Sequence, residues 1–260
     1  MITAKAILHK ITMRIRLMRL RTIVSLLALL LALLLAAMAG AVCAYYMWWR
    51  EAVIVSPSVA EYPVRGIDIS AHNGAVDFDK VAAAGMQFVI IKATEGATFK
   101  DKNFTANYRK ARKAGLKVGV YHFFRFDVGG YMQALNLMHS IRGRHLDLPV
   151  AIDVEEWSNP RDHTTHDILT RLQAMMNTLE AHGYTVMLYS NKDGFEKFFS
   201  QQFAHYPLWL CSFTGVPDSG NMKLWQFSHV GHVNGVNGKV DINTFNGSAA
   251  DWERWLMELD

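Results

Sequence analysis

The sequence predicts an α/β chain: a (β/α) barrel of TIM type with reduced C-terminal helices, preceded by one N-terminal transmembrane helix. Three observations carry this expectation. Residues 23–49 form an uncharged apolar run. From Arg65 onward, short β-rich runs alternate with helix-like stretches, the pattern of βα units around a largely parallel sheet. Eight such runs can be placed, the number that closes a barrel of this type. At 260 residues and 51% hydrophobic, the chain has room for a membrane segment and one domain with a sizeable core.

The first element is the apolar run "IVSLLALLLALLLAAMAGAVCAYYMWW", longer than the roughly 20 residues a helix needs to cross a bilayer core. Lys5, Lys10, Arg14, Arg16, Arg19 and Arg21 precede it. By the positive-inside rule, residues 1–22 are a basic cytoplasmic segment and everything after the helix lies on the far side. Tyr45, Tyr46, Trp48 and Trp49 suit an interfacial aromatic belt. The small residues Ala39, Ala41 and Ala44 leave a cleaved signal peptide, and hence a secreted protein, as the competing reading; the length of the run favours an uncleaved anchor. Residues 50–63, with Pro57 and Pro63, are expected to be a stem, and residues 64–260 the barrel domain.

Within that domain, strands are expected at 66–70, 88–92, 117–123, 148–153, 185–190, 208–210, 224–227 and 240–243. Helices are expected at 78–84, 104–114, 131–141 and 167–182, with Gly85, Gly115 and Gly183 ending three of them. Later strands are joined by short links, and residues 248–259 form a closing C-terminal segment.

Charge and cysteine usage narrow the function. Seven of the 27 basic residues lie at or before Arg50, and all 23 acidic residues lie at or after Glu51. The rest of the chain therefore holds 20 basic against 23 acidic residues, net −3, which removes the main support for a nucleic-acid partner. Cys43 lies in the apolar run and Cys211 behind an apolar strand, so no disulfide is expected and Cys211 reads as a small buried residue. "HTTHD" (163–167) has histidines at a three-residue spacing but stands where a helix begins, so its Thr and Asp read as caps and not as part of a metal site. Gly129-Gly130 and "NGVNG" are turn chemistry, and no G-x-S-x-G element occurs.

The candidate site begins at "AIDVEEW" (151–157), where an apolar strand ends in three carboxylates. In extended chain, Asp153 and Glu155 point the same way while Val154 and Glu156 point elsewhere. Two carboxyls in one small space cannot both ionise freely, so one stays protonated near neutral pH and the other is charged, as glycosidic hydrolysis requires. Barrel enzymes keep their chemistry at the C-terminal ends of the strands. Asp68 in "GIDIS" and Asp241 in "VDINTF", on the first and last strands, are expected to join the pair at one mouth.

The succession "RGIDIS", "FVIIKATEG", "GVYHFF", "PVAIDVEE", "MLYSN", "LWQFS" and "GVNGKVDINTFNG", spanning about residues 64–247, resembles glycoside hydrolase family 25, the lysozymes that cut peptidoglycan at N-acetylmuramic acid. The resemblance implies a flattened barrel lacking several C-terminal helices. It implies that Glu155 matches the general acid/base and that Asp153 matches the carboxylate that stabilises the sugar cation or orients the 2-acetamido group. Asp68 and Asp241 match two supporting aspartates at the base of the groove. All four positions agree with the family pattern; the stereochemical outcome stays open.

In such a groove, Tyr121, Tyr189 and Trp225 are expected to contact sugar faces or acetamido groups, whereas Trp209 is expected in the core. Lys92 and Glu95 are expected to form an ion pair beside the groove or a structural pair at the strand end. The reading is thus a monomeric, membrane-anchored muramidase without metal or cofactor, acting on peptidoglycan glycan strands outside the cytoplasm. Two alternatives remain: a catalytically silent, membrane-anchored peptidoglycan-binding module, and a metal-dependent hydrolase using the same acids as ligands.

Overall fold

Strand parity dictates the architecture. In the computed structural model, which describes residues 4–52 and 56–259, each barrel strand turns one set of alternate side chains inward and the other outward. The chain forms two units, Met1–Val53 and Ile54–Asp260.

The first unit is a single helix, α1 (Ala4–Ala52), within which Arg16–Met47 is long and apolar enough to cross a membrane by length and composition. Its leucines from Leu17 to Leu35 are exposed, and so are Tyr45 and Tyr46; the side chains of Trp48 and Trp49, and residues 53–55 of the expected stem, lie outside the described residues.

The second unit is the barrel. Its strands are β1 (Arg65–Ile69), β2 (Met86–Glu95), β3 (Phe99–Lys100), β4 (Lys117–Phe123), β5 (Val150–Asp153), β6 (Val186–Asn191), β7 (Leu208–Cys211), β8 (Met222–Gly231) and β9 (Val240–Phe245). The order β1-β9-β8-β7-β6-β5-β4-β2, with β2 pairing back to β1, closes eight strands, and β3 is a short hairpin partner of β2. Seven of the eight barrel strands run parallel; β9 is antiparallel to both β1 and β8. Expected strand 240–243 thus has its place but opposite direction, because only a short link (232–239) joins it to β8, too short for a parallel crossover.

Helices α2 (Phe78–Ala83), α3 (Phe104–Lys113), α4 (Gly130–Ile141) and α5 (Thr165–Ala181) follow β1, β3, β4 and β5. Asp77 caps α2 through Lys80 N–H, and Thr164 caps α5 through Asp167 N–H, the role expected for "HTTHD". Gly183 ends α5 at φ 81°, a conformation that favours glycine. After β6 come a short turn, α6 (Lys192–Gly194), and a π-helical turn (Phe195–Phe199) that sequence periodicity did not reveal. No helix of eight residues or more joins β6, β7, β8 and β9 among the described residues.

Two apolar layers result. Outward residues such as Ile67, Val89, Ile91, Val120 and Ile152 pack under α2–α5. Inward residues Phe88, Ile90, Leu148, Met187, Trp209, Leu224 and Phe245 fill the barrel, and α7 (Ala249–Leu259) closes its lower end with Trp252 and Trp255. Trp252 lies 5.3 Å from the Phe88 and Phe245 rings. Gly66 is required here: a Cβ at that position would sit 2.4 Å from the Phe88 ring.

Candidate active site

With its lower half plugged by apolar side chains, the barrel leaves its polar inward positions at the C-terminal ends of the parallel strands. The same parity that points Gly66 inward points Asp68 inward, and likewise Lys92 on β2, Tyr121 on β4, Asp153 on β5, Tyr189 on β6 and Gln226 on β8. The reversed direction of β9 is decisive for Asp241. As the second residue of an antiparallel strand it enters at the upper rim, opposite Asp68 in the β1–β9 register.

Asp68 is buried and hydrogen-bonded. Its Oδ2 accepts from Gln226 Nε2 (2.8 Å) and from Asn243 Nδ2 (2.8 Å). The two amides are oriented by their other ends: Gln226 Oε1 accepts from the Tyr189 hydroxyl (2.8 Å), and Asn243 Oδ1 accepts from Trp209 Nε1 (2.8 Å). Each amide can therefore present only its NH2 to Asp68. Burial raises Asp68 to about 6 against those hydrogen bonds, and raises Asp241 to about 8, with the neighbouring Asp68 charge adding to the rise. The two share a proton near neutral pH, held on Asp241 and donated toward Asp68.

Asp153 and Glu155 form a second coupled pair. Burial, then the charge of Glu155, pushes Asp153 well above the usual carboxylate range, and burial raises Glu155 as well. The hydrogen bond between them favours the proton on Asp153, the deeper of the two. Asp153 Oδ1 is buried without a hydrogen-bond partner, an unsatisfied acceptor. Glu156 points away and pairs with Lys197 on the surface.

The structure gathers Asp68, Asp153, Glu155, Asp241, Tyr121 and Tyr189 within electrostatic reach of one another. Tyr121 is half-buried with its ring edge-on to Trp209 at 6.3 Å, and Tyr189, more deeply buried, lies 4.4 Å from Trp209. Lys92 pairs with Glu95 at 2.8 Å, and its ammonium lies over the Phe99 and Phe123 rings and lowers Asp153. Trp225 is not brought to the mouth. It alternates with the inward Leu224 and Gln226, so its ring faces the outer layer at 0% exposure and its Nε1 donates to Ser212 O. This corrects the expectation for Trp225. His122 also lies in the outer layer, bonded to Thr94 and Gln133, away from the carboxylates. Cys211 is half-buried beside Tyr189, its thiol pushed up to about 12 by burial, which removes thiolate chemistry at neutral pH.

Sequence reasoning missed Gln226 and Asn243. The signal was present as parity: Gln226 is two positions from Leu224, and Asn243 two from Asp241.

Comparison with known proteins identifies the family and agrees with the fold. The model of the family described as "Glycosyl hydrolases family 25" matches residues 67–236, a span that holds Asp68, Asp153 and Glu155 and ends before Asp241. Lysozyme M1 of Streptomyces globisporus is 34% identical over 205 residues, covering 72% of this chain and 69% of that protein. The uncharacterized protein YegX of Escherichia coli is 30% identical over 206 residues, 76% of this chain and 75% of the other. Among solved structures, a family 25 glycosyl hydrolase from Bacillus anthracis superposes with a TM-score of 0.69 at 30% identity, over 74% of this chain and 93% of that one. The bacterial lysozyme from Streptomyces coelicolor gives 0.68 at 30% identity, over 76% and 98%. The chain belongs to glycosyl hydrolase family 25.

Proposed function

We propose that this glycoside hydrolase is a peptidoglycan muramidase, cutting the β-1,4 bond between N-acetylmuramic acid and N-acetylglucosamine. The observation that carries the reading is the coupled Asp153/Glu155 pair at the end of β5, above a second carboxyl pair. Relatives named lysozyme and N,O-diacetylmuramidase support the substrate class.

In this mechanism the shared proton does two jobs. The proton held on Asp153 passes to Glu155, and Glu155 delivers it to the leaving glycosidic oxygen as the C–O bond breaks. Asp153 is thereby left ionised beside the oxocarbenium-like centre, where it stabilises the cation or orients the acetamido group. Glu155, once deprotonated, takes a proton from the water that bonds to the sugar carbon. The Asp68/Asp241 pair, tied to Gln226 and Asn243, keeps the floor of the mouth rigid and limits its negative charge. Tyr121 and Tyr189 line the sugar path, and the Lys92–Glu95 pair borders it.

The apolar segment Arg16–Met47 supports membrane anchoring, with the basic residues before and at its start, Lys5 to Arg21, on the cytoplasmic side and the barrel outside. A catalytically silent wall-binding module is disfavoured by the retention of both carboxyl pairs. The reading is tested by release of reducing ends from purified sacculi: the native chain releases them and Glu155→Gln does not. Equal release by both would remove Glu155 from the mechanism.

A further inference from the structure

The loop that follows Glu155 is held by groups that the reaction above does not use. Asn159 is buried, and its side chain is fully engaged. Its Nδ2 donates to the Glu155 carbonyl (2.8 Å) and to the Phe124 carbonyl (3.0 Å), and its Oδ1 accepts from Phe126 N–H (2.9 Å). Phe124 and Phe126 belong to the loop after β4, so one amide ties the residue carrying the proposed acid to the neighbouring loop.

The turn between Glu155 and Asn159 is constrained as well. Ser158 has φ 63°, the one non-glycine residue with positive φ among those described, a conformation that persists only where the surroundings impose it. The imposing contact comes from Arg125, whose Nη1 donates to the Ser158 carbonyl at 2.6 Å.

Arg125 is itself anchored from below. Its N–H donates to Gln133 Oε1 (2.8 Å), while Gln133 Nε2 donates to the carbonyls of Arg125 and Val128 (2.9 Å each). With both Nε2 hydrogens committed, Gln133 Oε1 must accept from His122 Nε2–H at 3.0 Å. His122 Nδ1 then accepts from the Thr94 hydroxyl at 2.7 Å, in keeping with a neutral ring that burial holds at about 4. Thr94, His122 and Gln133 are all 0% exposed, so the chain of bonds from β2 to the loop runs through the buried interior, where each bond is strong and each loss is costly.

We infer that Asn159 is a positioning residue for Glu155: its amide fixes the Glu155 main chain against the loop after β4, with Arg125 locking the turn between them. The inference rests on the acid/base reading of Glu155. Removal of the amide leaves the Glu155 carbonyl without its donor and Phe126 N–H without its acceptor, and the carboxyl loses its fixed approach to the leaving oxygen. Misplacement of a proton donor acts on the chemical step more than on sugar binding.

The test uses the full chain in detergent on purified sacculi, comparing native protein, Asn159→Ala and Asn159→Ser. Asn159→Ala is expected to lower kcat by about 10- to 100-fold, with KM within about threefold of native. The basic limb of the kcat–pH profile moves to lower pH, because a loosened Glu155 gains water and gives up its proton more easily. Asn159→Ser, whose hydroxyl can still donate, recovers part of the loss and serves alone if the alanine variant does not fold. Native kcat and an unmoved profile in whichever variant folds would overturn the inference, as would a loss of rate that only follows the unfolded fraction seen by circular dichroism. A native chain that releases no reducing ends would instead bring down the muramidase reading, and this inference with it.

Discussion

Asp68 and Asp241 are register partners across the antiparallel β1–β9 pair, two carboxyls facing each other at the upper rim of the barrel. Directly opposed residues of an antiparallel pair have Cβ atoms about 4.5–5.5 Å apart, close enough for each charge to govern the other's proton. Burial and this opposition hold Asp241 at about 8 and Asp68 at about 6.

The pair makes stability depend on pH. Both pKa values are raised on folding, so the native state keeps protons that the unfolded chain releases above about pH 4. Their contribution is fully present below the unfolded value and is lost as pH rises through about 6 and then about 8. Asp241→Asn removes the later step. Its melting temperature is expected to fall less than the native one between about pH 5 and about pH 8, leaving the variant about 2–4 °C above native at the upper end. Parallel native and variant curves in a pH series of thermal melts would count against the shared proton.

Glu155→Gln is expected to lower kcat by about 10²- to 10⁴-fold, the contribution of a positioned proton donor. Its melting temperature should match or exceed the native value, because a neutral amide replaces a carboxyl that burial already disfavours. Steady-state release of reducing ends and a thermal melt give both numbers.

Asp153→Asn removes the proton store but keeps the shape. With the Asp153 charge gone, Glu155 titrates alone and kcat falls by about 10²-fold or more. The pH profile should lose the coupled two-step form that a carboxyl pair imposes. A kcat–pH profile of unchanged shape would show that the two acids do not share a proton.

The tryptophan that parity turns outward supplies a control. Trp225→Phe loses the bond to Ser212 O and costs about 1 kcal/mol of stability, yet KM and kcat on sacculi stay within about twofold. Tyr121→Phe, altered at the mouth itself, should raise KM or lower kcat severalfold. The reverse pattern in the two variants would place the sugar path elsewhere.

Gln226→Leu leaves the Tyr189 hydroxyl without its acceptor and takes one of the two amide donors from Asp68. Buried groups left unpaired cost about 1–3 kcal/mol each, so a lowered melting temperature is expected together with slower turnover. A variant as stable and active as native would mean that the amide network does not organise the floor.

Much of this was legible in the sequence, for reasons that individual elements make plain. Strand 117–123 agrees with β4 to the residue because its β-rich run follows Gly115 and its alternation is unbroken. The gathering of Asp68, Asp153 and Glu155 at one mouth was legible because strand parity and barrel topology together place strand-end acids there. Trp225 was misplaced because its position near a strand end outweighed its odd parity against Leu224 and Gln226. The direction of β9 was not legible, since a five- or six-residue strand reads the same both ways; only the closed sheet selects it. The turn at 192–199 and the two-residue β3 carry too few positions for any period to emerge.

Anchoring is tested by fractionation. The full chain should stay with membranes after alkaline carbonate extraction, and the mass of the purified protein should include residues 1–49. Release into the soluble fraction with a new N-terminus near Ala44 would establish cleavage instead.

The most direct measurement is mass spectrometry of the products formed when the full chain digests purified sacculi. N-acetylmuramic acid at the new reducing ends, formed by native protein and absent with Glu155→Gln, is the predicted result. Reducing-end glucosamine or anhydro-muramic ends would contradict the proposed bond and reaction.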